Sequence, residues 1–151
     1  MKPETTQKRA ELTSSLEDYL EAIYHLQSHN QGARVKEIAR VMDVKMPSVT
    51  GALRALVEKG LVKHDPYHEV RLTQEGVECA ESIVERHTVI KRFLVEILGL
   101  ADTEAEGEAC RLEHAMKPET LDRLVTFLKR AEEIGARFNG SDWNRPARHS
   151  S

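Results

Sequence analysis

The seven residues from Glu108 to His114 hold a thiol at Cys110, a carboxylate at Glu113 and an imidazole at His114. On a helix, positions i, i+3 and i+4 share one face, so these three side chains project together. All three are metal-donor groups, and as a set they suit a transition metal better than calcium or magnesium. An exposed Glu-His pair beside a small buried Cys would leave the same pattern. Two further stretches add donors with similar spacing. Asp18 and Glu21 lie one turn apart near the start of a predicted helix, where carboxylates also favour the helix dipole. His87 falls on the apolar stripe of another helix, a place where imidazole is more often a satisfied core or interface group than a ligand.

The pattern around these residues predicts the elements that carry them. Ser14 with Glu17, and Ser15 with Asp18, read as capping boxes for a helix to about Ser28, with Leu16, Tyr19, Leu20, Ile23 and Leu26 as its apolar stripe. Asn30 to Gly32 break it. Val35 to Met42 reads as a short amphipathic helix, with Val35, Ile38, Ala39 and Met42 inward. After a tight Asp43-Val44-Lys45 connection, a helix runs from about Pro47 to Glu58. It turns Val49, Leu53, Leu56 and Val57 to the core and leaves Ser48, Thr50, Gly51 and Arg54 outside. Two short helices joined by a brief turn form a helix-turn-helix. Leu61 to His64 and Glu69 to Leu72 alternate at period two around a turn at residues 65–68, which makes a two-stranded wing. Thr73 caps a long helix to about Leu98, ended by Gly99. Asp102 or Thr103 caps the helix of the donor cluster, and a last helix starts at Lys117-Pro118 and runs to about Phe138. Its leucine stripe, with Leu112 and Met116, exceeds what a helical pair buries alone, and a second subunit is the natural cover.

The expected fold is therefore mainly α. A flexible arm spans residues 1–13 and an N-terminal winged helix-turn-helix domain with a two-stranded wing spans 14–73. A helical metal-binding and dimerisation domain follows over 74–138, with a disordered tail over 139–151. Hydrophobic residues are 40% and charged residues 31%, ordinary for a globular chain. Net charge is −3, which rules out a uniformly basic nucleic-acid binder. The charge is uneven. Arg34 to His68 holds seven Lys/Arg against four Asp/Glu, and Leu100 to Gly135 holds five against nine. A basic front half and an acidic back half imply one anionic and one cationic partner. Two cysteines make no disulfide framework, no apolar run reaches the roughly 20 residues that span a bilayer, and the N-terminus lacks a signal-peptide core. The expected compartment is the cytoplasm, with no membrane partner and no small-molecule substrate.

A helix-turn-helix sets the start of its second helix in the major groove of double-stranded DNA. Arg54 can fork onto a guanine, and Ser48 and Thr50 are short donors for base or phosphate. Arg34, Lys36, Lys45, Lys63, His64 and His68 lie where they meet the flanking backbone. Any one of these is as well read as a solvated surface group; the concentration of the set in one segment argues otherwise. The three donor groups sit on three predicted helices, one of them within the DNA-reading module. A metal that tied these helices together would act as a switch if it bound the DNA-competent arrangement more tightly.

Several stretches resemble the DtxR/MntR family of metal-dependent transcriptional repressors: Ser15 to Tyr24, Arg34 to Ala39, Pro47 to Thr50, Glu85 to His87, and Glu108 to His114. The resemblance covers about residues 14 to 137. It implies a cytoplasmic homodimer that binds Fe(II) or Mn(II) and then represses metal-uptake genes at a palindromic operator. By this resemblance Asp18 and Glu21 match the carboxylate pair of the manganese-sensing branch. His87, Glu113 and His114 match ligand positions, and Cys110 matches the thiol of the iron-sensing branch, where manganese sensors carry Glu. Lys91 stands where the iron branch has a carboxylate and Glu106 where it has a His, so that branch's second site is not reproduced. The family's third, SH3-like domain is not expected here, since the resemblance stops at about residue 137. The mixed ligand set favours Fe(II), with Mn(II) next, while Co(II), Ni(II) or Zn(II) substitute in vitro. The resemblance implies no enzyme. Two other readings remain at this point: a redox-sensing winged helix using Cys79 and Cys110, and a metal-dependent hydrolase, for which no nucleophile-base set stands out.

Overall fold

A computed structural model describes residues 12–30 and 33–133. The expected arm falls almost wholly outside these residues. So do the expected tail, the end of the last helix near Phe138, and Gln31 and Gly32 of the expected helix break. Six helices and a two-stranded sheet are described: α1 (Ser14–Asn30), α2 (Val35–Met42), α3 (Met46–Glu58), β1 (Val62–Lys63), β2 (Arg71–Leu72), α4 (Gln74–Glu96), α5 (Asp102–Ala115) and α6 (Pro118–Glu133). The chain divides into two compact units after Val84, within α4.

In the first unit, α1, α2 and α3 pack on one another and on the wing. Leu20, Ile23, Ile38, Val49, Leu53, Leu56, Leu61 and Val70 form a core from which solvent is excluded. Thr13, not Ser14 or Ser15, caps α1, its hydroxyl accepting from the Leu16 amide at 3.3 Å. At α2 the Glu37 carboxylate accepts from the Arg34 amide at 3.1 Å. The helix ends at Asp43, which takes a left-handed φ of 52°, a conformation a short polar residue tolerates better than a branched one. The Val44 amide then bonds back to the Ala39 carbonyl at 3.0 Å, so the connection to α3 is as tight as its length required. Val49, Leu53 and Leu56 point inward as expected, but Val57 is 41% exposed. The position next to Leu56 turns past the edge of the buried face.

The wing is shorter than expected. Only Val62 with Leu72 and Lys63 with Arg71 pair, antiparallel. An Ala33–Val70 bridge extends it, joining the start of α2 to the sheet. The turn places Pro66 before Tyr67, whose φ is 71°, and closes with the His68 amide bonding to the Asp65 carbonyl at 3.1 Å. Thr73 caps α4 as expected, accepting from the Gly76 amide at 3.0 Å. A Cβ on Gly76 would lie 2.0 Å from the Leu61 carbonyl oxygen, so α4 meets the wing by backbone contact that only glycine permits.

In the second unit, Ile90 and Leu94 of α4 pack with Ala105 and Ala109 of α5 and Leu121 of α6. Gly99, at φ 72°, follows α4. The Leu100 amide bonds to the Leu94 carbonyl at 3.0 Å, a Schellman-type closure. The N-cap of α5 is Ala101, with no side-chain cap. Asp102 and Thr103 therefore do not cap it, and the carboxylates of Asp102 and Glu106 serve other partners.

Candidate metal centre and nucleic-acid interface

The second unit brings together residues far apart in sequence. His87, on α4, has a side chain 16% exposed and lies between two carboxylates of α5. Its Nδ1 donates to Glu113 Oε2 at 2.8 Å and its Nε2 donates to Glu106 Oε1 at 2.9 Å. An imidazole that donates from both nitrogens is protonated. The bond to Glu113 and the charges of Glu113 and Glu106 outweigh burial, and raise its pKa from 6.5 to about 9. The other oxygen of Glu113 accepts from Arg86 Nε at 3.2 Å, a pair buried on both sides. The other oxygen of Glu106 meets Lys91 Nζ at 2.8 Å, and Lys91 also holds Asp102 at 3.1 Å. The Lys91 ammonium holds the Glu106 carboxyl below its ordinary range, and Glu106 in turn raises Lys91. The result is an alternating chain of charge: Arg86, Glu113, His87, Glu106, Lys91, Asp102.

Among the expected ligands, then, His87 and Glu113 are in direct contact. Cys110 and His114 stand one turn before and one residue after Glu113 on α5, and both are exposed. Asp18 and Glu21 are half-buried on α1, in the first unit, and Glu21 faces His25 at 3.5 Å. Among the described residues, no three His, Cys, Asp or Glu side chains are already gathered as a donor set. The charge chain gives a physical reason. Without a cation, His87 and Glu113 satisfy each other, and arginine and lysine supply the remaining positive charge. The donor chemistry still fits a divalent transition metal. A carboxylate on α5 in contact with an imidazole on α4, with a thiol and a second imidazole within a turn of that carboxylate, offers a mixed nitrogen, oxygen and sulfur set. Lys91 and Glu106, which the resemblance sets at the second-site positions of the iron branch, here pair with each other, and Glu106 holds His87 from its far side.

Cys79 is fully buried in the first core, and Cys110 is exposed; neither is in a disulfide. A buried thiol in apolar surroundings is unreactive, so a redox reading keeps only Cys110.

On the first unit, Arg34, Lys36, Lys45, Ser48, Thr50, Arg54, Lys63 and His68 are all exposed and His64 is half-buried. A cleft of about 880 Å³ opens among the start of α2, the start of α3 and the wing, lined by Arg34, Lys36, Lys63, His64, His68 and Arg71. Arg71 was not foreseen; its place on the outward face of β2 was the only signal available. Glu69 lies 4.0 Å from Arg34 and 3.7 Å from Arg71, which tempers the positive charge of the cleft. The Thr50 hydroxyl donates to the Met46 carbonyl at 3.1 Å, so it offers an incoming partner lone pairs rather than the proton expected of it.

Comparison with known proteins gives two family matches. Residues 11–70 match the iron dependent repressor N-terminal DNA binding domain, and residues 73–134 match the iron dependent repressor metal binding and dimerisation domain. An HTH-type transcriptional regulator of Methanocaldococcus jannaschii is 39% identical over 81% of this chain and 98% of its own length. The HTH-type transcriptional regulator MntR of Oceanobacillus iheyensis is 34% identical over 78% of this chain and 81% of its own. A solved manganese-dependent transcriptional repressor in complex with manganese superposes with a TM-score of 0.64 at 33% identity, over 76% of this chain and 52% of that one.

Proposed function

Because the chain belongs to the iron-dependent repressor family, the DtxR/MntR group, we propose that it is a DNA-binding transcriptional repressor activated by a divalent metal ion. Its targets are genes of metal uptake and homeostasis. Fe(II) is the favoured ion and Mn(II) the second, because one thiolate is combined with carboxylates and imidazoles. The proposed ligands are Asp18 and Glu21 in the first unit, and His87, Cys110, Glu113 and His114 in the second. The proposed DNA contacts are Ser48, Thr50 and Arg54 on α3, with Arg34, Lys36, Lys45, Lys63, His64 and His68 on the flanking backbone. The proposed assembly is a cytoplasmic homodimer on a palindromic operator. Phe127, 62% exposed on α6, supports a partner for that helix. No residue is assigned a catalytic role. Among the described residues no helix is long and apolar enough to cross a membrane.

The observation that carries this reading is the 2.8 Å contact between His87 and Glu113, two donors 26 residues apart. A bound ion would supply there the concentrated positive charge that the imidazole's proton and Arg86 now supply. The test begins by enriching duplexes from a random 30-base-pair pool with anaerobic Fe(II) or Mn(II). Affinity for the enriched duplex is then measured with metal and with chelator. The expected result is at least a tenfold loss on chelation, matched by His87→Ala in the presence of metal. Equal affinity with and without metal would overturn the proposal. The choice of metal is tested by Cys110→Glu, which should lower the Mn(II) concentration needed for DNA binding relative to Fe(II). Unchanged midpoints for both ions would exclude a role for the thiol in selection.

A further inference from the structure

Gly51 lies in the interior of α3, on its exposed face. Glycine in a helix interior is destabilising relative to alanine, because its backbone has more freedom to lose. Nothing inside the described protein requires it. A Cβ built on Gly51 would meet no atom within 4 Å, and its φ is not in the left-handed region. The contrast with the other described glycines is clear. Gly60 and Gly99 have positive φ, Gly76 is pressed against the Leu61 backbone, and Gly107 is half-buried with Arg111 beside it.

Whatever Gly51 accommodates therefore lies outside the described residues. On a helix it shares a face with Pro47 and Ser48 one turn before and Arg54 one turn after, all three exposed. The opposite face holds Val49, Leu53 and Leu56 in the core. The outward strip is thus low in its middle and ends in one long cationic side chain. A helix about 10–12 Å across with its side chains nearly fills a major groove about 12 Å wide, so one missing side chain changes how deep it sits.

We propose that Gly51 is the point of closest approach between α3 and the base-pair edges of the operator, and that its missing side chain sets sequence specificity. A methyl group there lifts the helix off the groove floor and draws Ser48 and Arg54 away from the bases. This rests on the DNA-binding reading above, and the experiment separates the two.

The probes are the duplex that the wild-type protein enriches from a random 30-base-pair pool in Mn(II), and a scrambled duplex of the same composition. Gly51→Ala should raise the thermal midpoint of the protein. It should weaken binding to the enriched duplex at least tenfold and leave the scrambled duplex within twofold. Unchanged affinity for the enriched duplex would overturn the inference, as would equal weakening on both duplexes. A lowered thermal midpoint would also overturn it, because the glycine would then serve the fold. If the wild-type protein enriches no duplex, the DNA-binding reading fails first. If it does and Gly51→Ala is neutral, the inference alone fails.

Discussion

His87 is held by charge on both sides, and that has a measurable consequence without any metal. Its pKa is raised in the folded chain from 6.5 to about 9, chiefly by the bond to Glu113. A raised pKa means that the folded state holds the proton more tightly than the unfolded one. Its stabilising contribution is therefore full below pH 6.5 and is lost as pH rises through about 9. The thermal midpoint of chelator-treated protein should fall across that window, and His87→Ala should flatten the fall. An identical pH profile in both proteins would show that the imidazole is not so held. Glu113 calls for a different experiment, because it also neutralises the buried Arg86 guanidinium. Glu113→Ala should cost up to roughly 3 kcal/mol by removing the carboxylate beside that buried charge. Glu113→Gln keeps an acceptor for Arg86 and should cost much less while still weakening metal binding. Urea denaturation of both variants beside metal titration separates the two roles. The donor types at His87, Cys110, Glu113 and His114 were legible from spacing and resemblance. The charges that hold His87 and Glu113 were not, since Arg86, Lys91 and Glu106 look like ordinary surface charges until α4 and α5 are laid against each other.

The elements themselves were read well where a period is long enough to register. The stripes of α1, α3 and α4 emerge within a residue or two of their expected bounds. The misses are short-range. Thr13 takes the cap expected of Ser14 because three adjacent hydroxyl residues offer the same signal and only backbone geometry chooses. The Ala33–Val70 bridge is invisible because a single paired residue has no periodicity. Gly76 is the more instructive case. In sequence it is an ordinary glycine in the first turn of a helix, yet its hydrogen faces the Leu61 carbonyl. Gly76→Ala should destabilise the first unit by roughly 2 kcal/mol or more, since the obstructing atom is backbone and cannot rotate away. Hydrogen exchange of the β1–β2 amides would report the loss directly, and unaltered protection would contradict the packing described. Gly51→Ala, the same substitution, should have the opposite sign for stability. The two glycines thus distinguish a constraint inside the fold from one imposed by a partner.

In the molecule as a whole, two matched stretches, one of DNA-binding and one of metal-binding type, lie in one chain. The uneven charge already pointed to two kinds of partner, because a basic segment and an acidic one cannot serve the same ligand. What the sequence leaves open is which ion is selected, since a thiol, carboxylates and imidazoles together span the preferences of several metals. The central claim is thermodynamic: metal and DNA favour the same state of the protein. Coupling of this kind is reciprocal, so the factor by which metal tightens DNA binding must equal the factor by which DNA tightens metal binding. The most direct test is the Mn(II) affinity of the protein with and without the enriched duplex. The account predicts at least tenfold tighter Mn(II) binding in the presence of the duplex, matching the gain in DNA affinity measured with metal; the same Mn(II) affinity with and without DNA would contradict it.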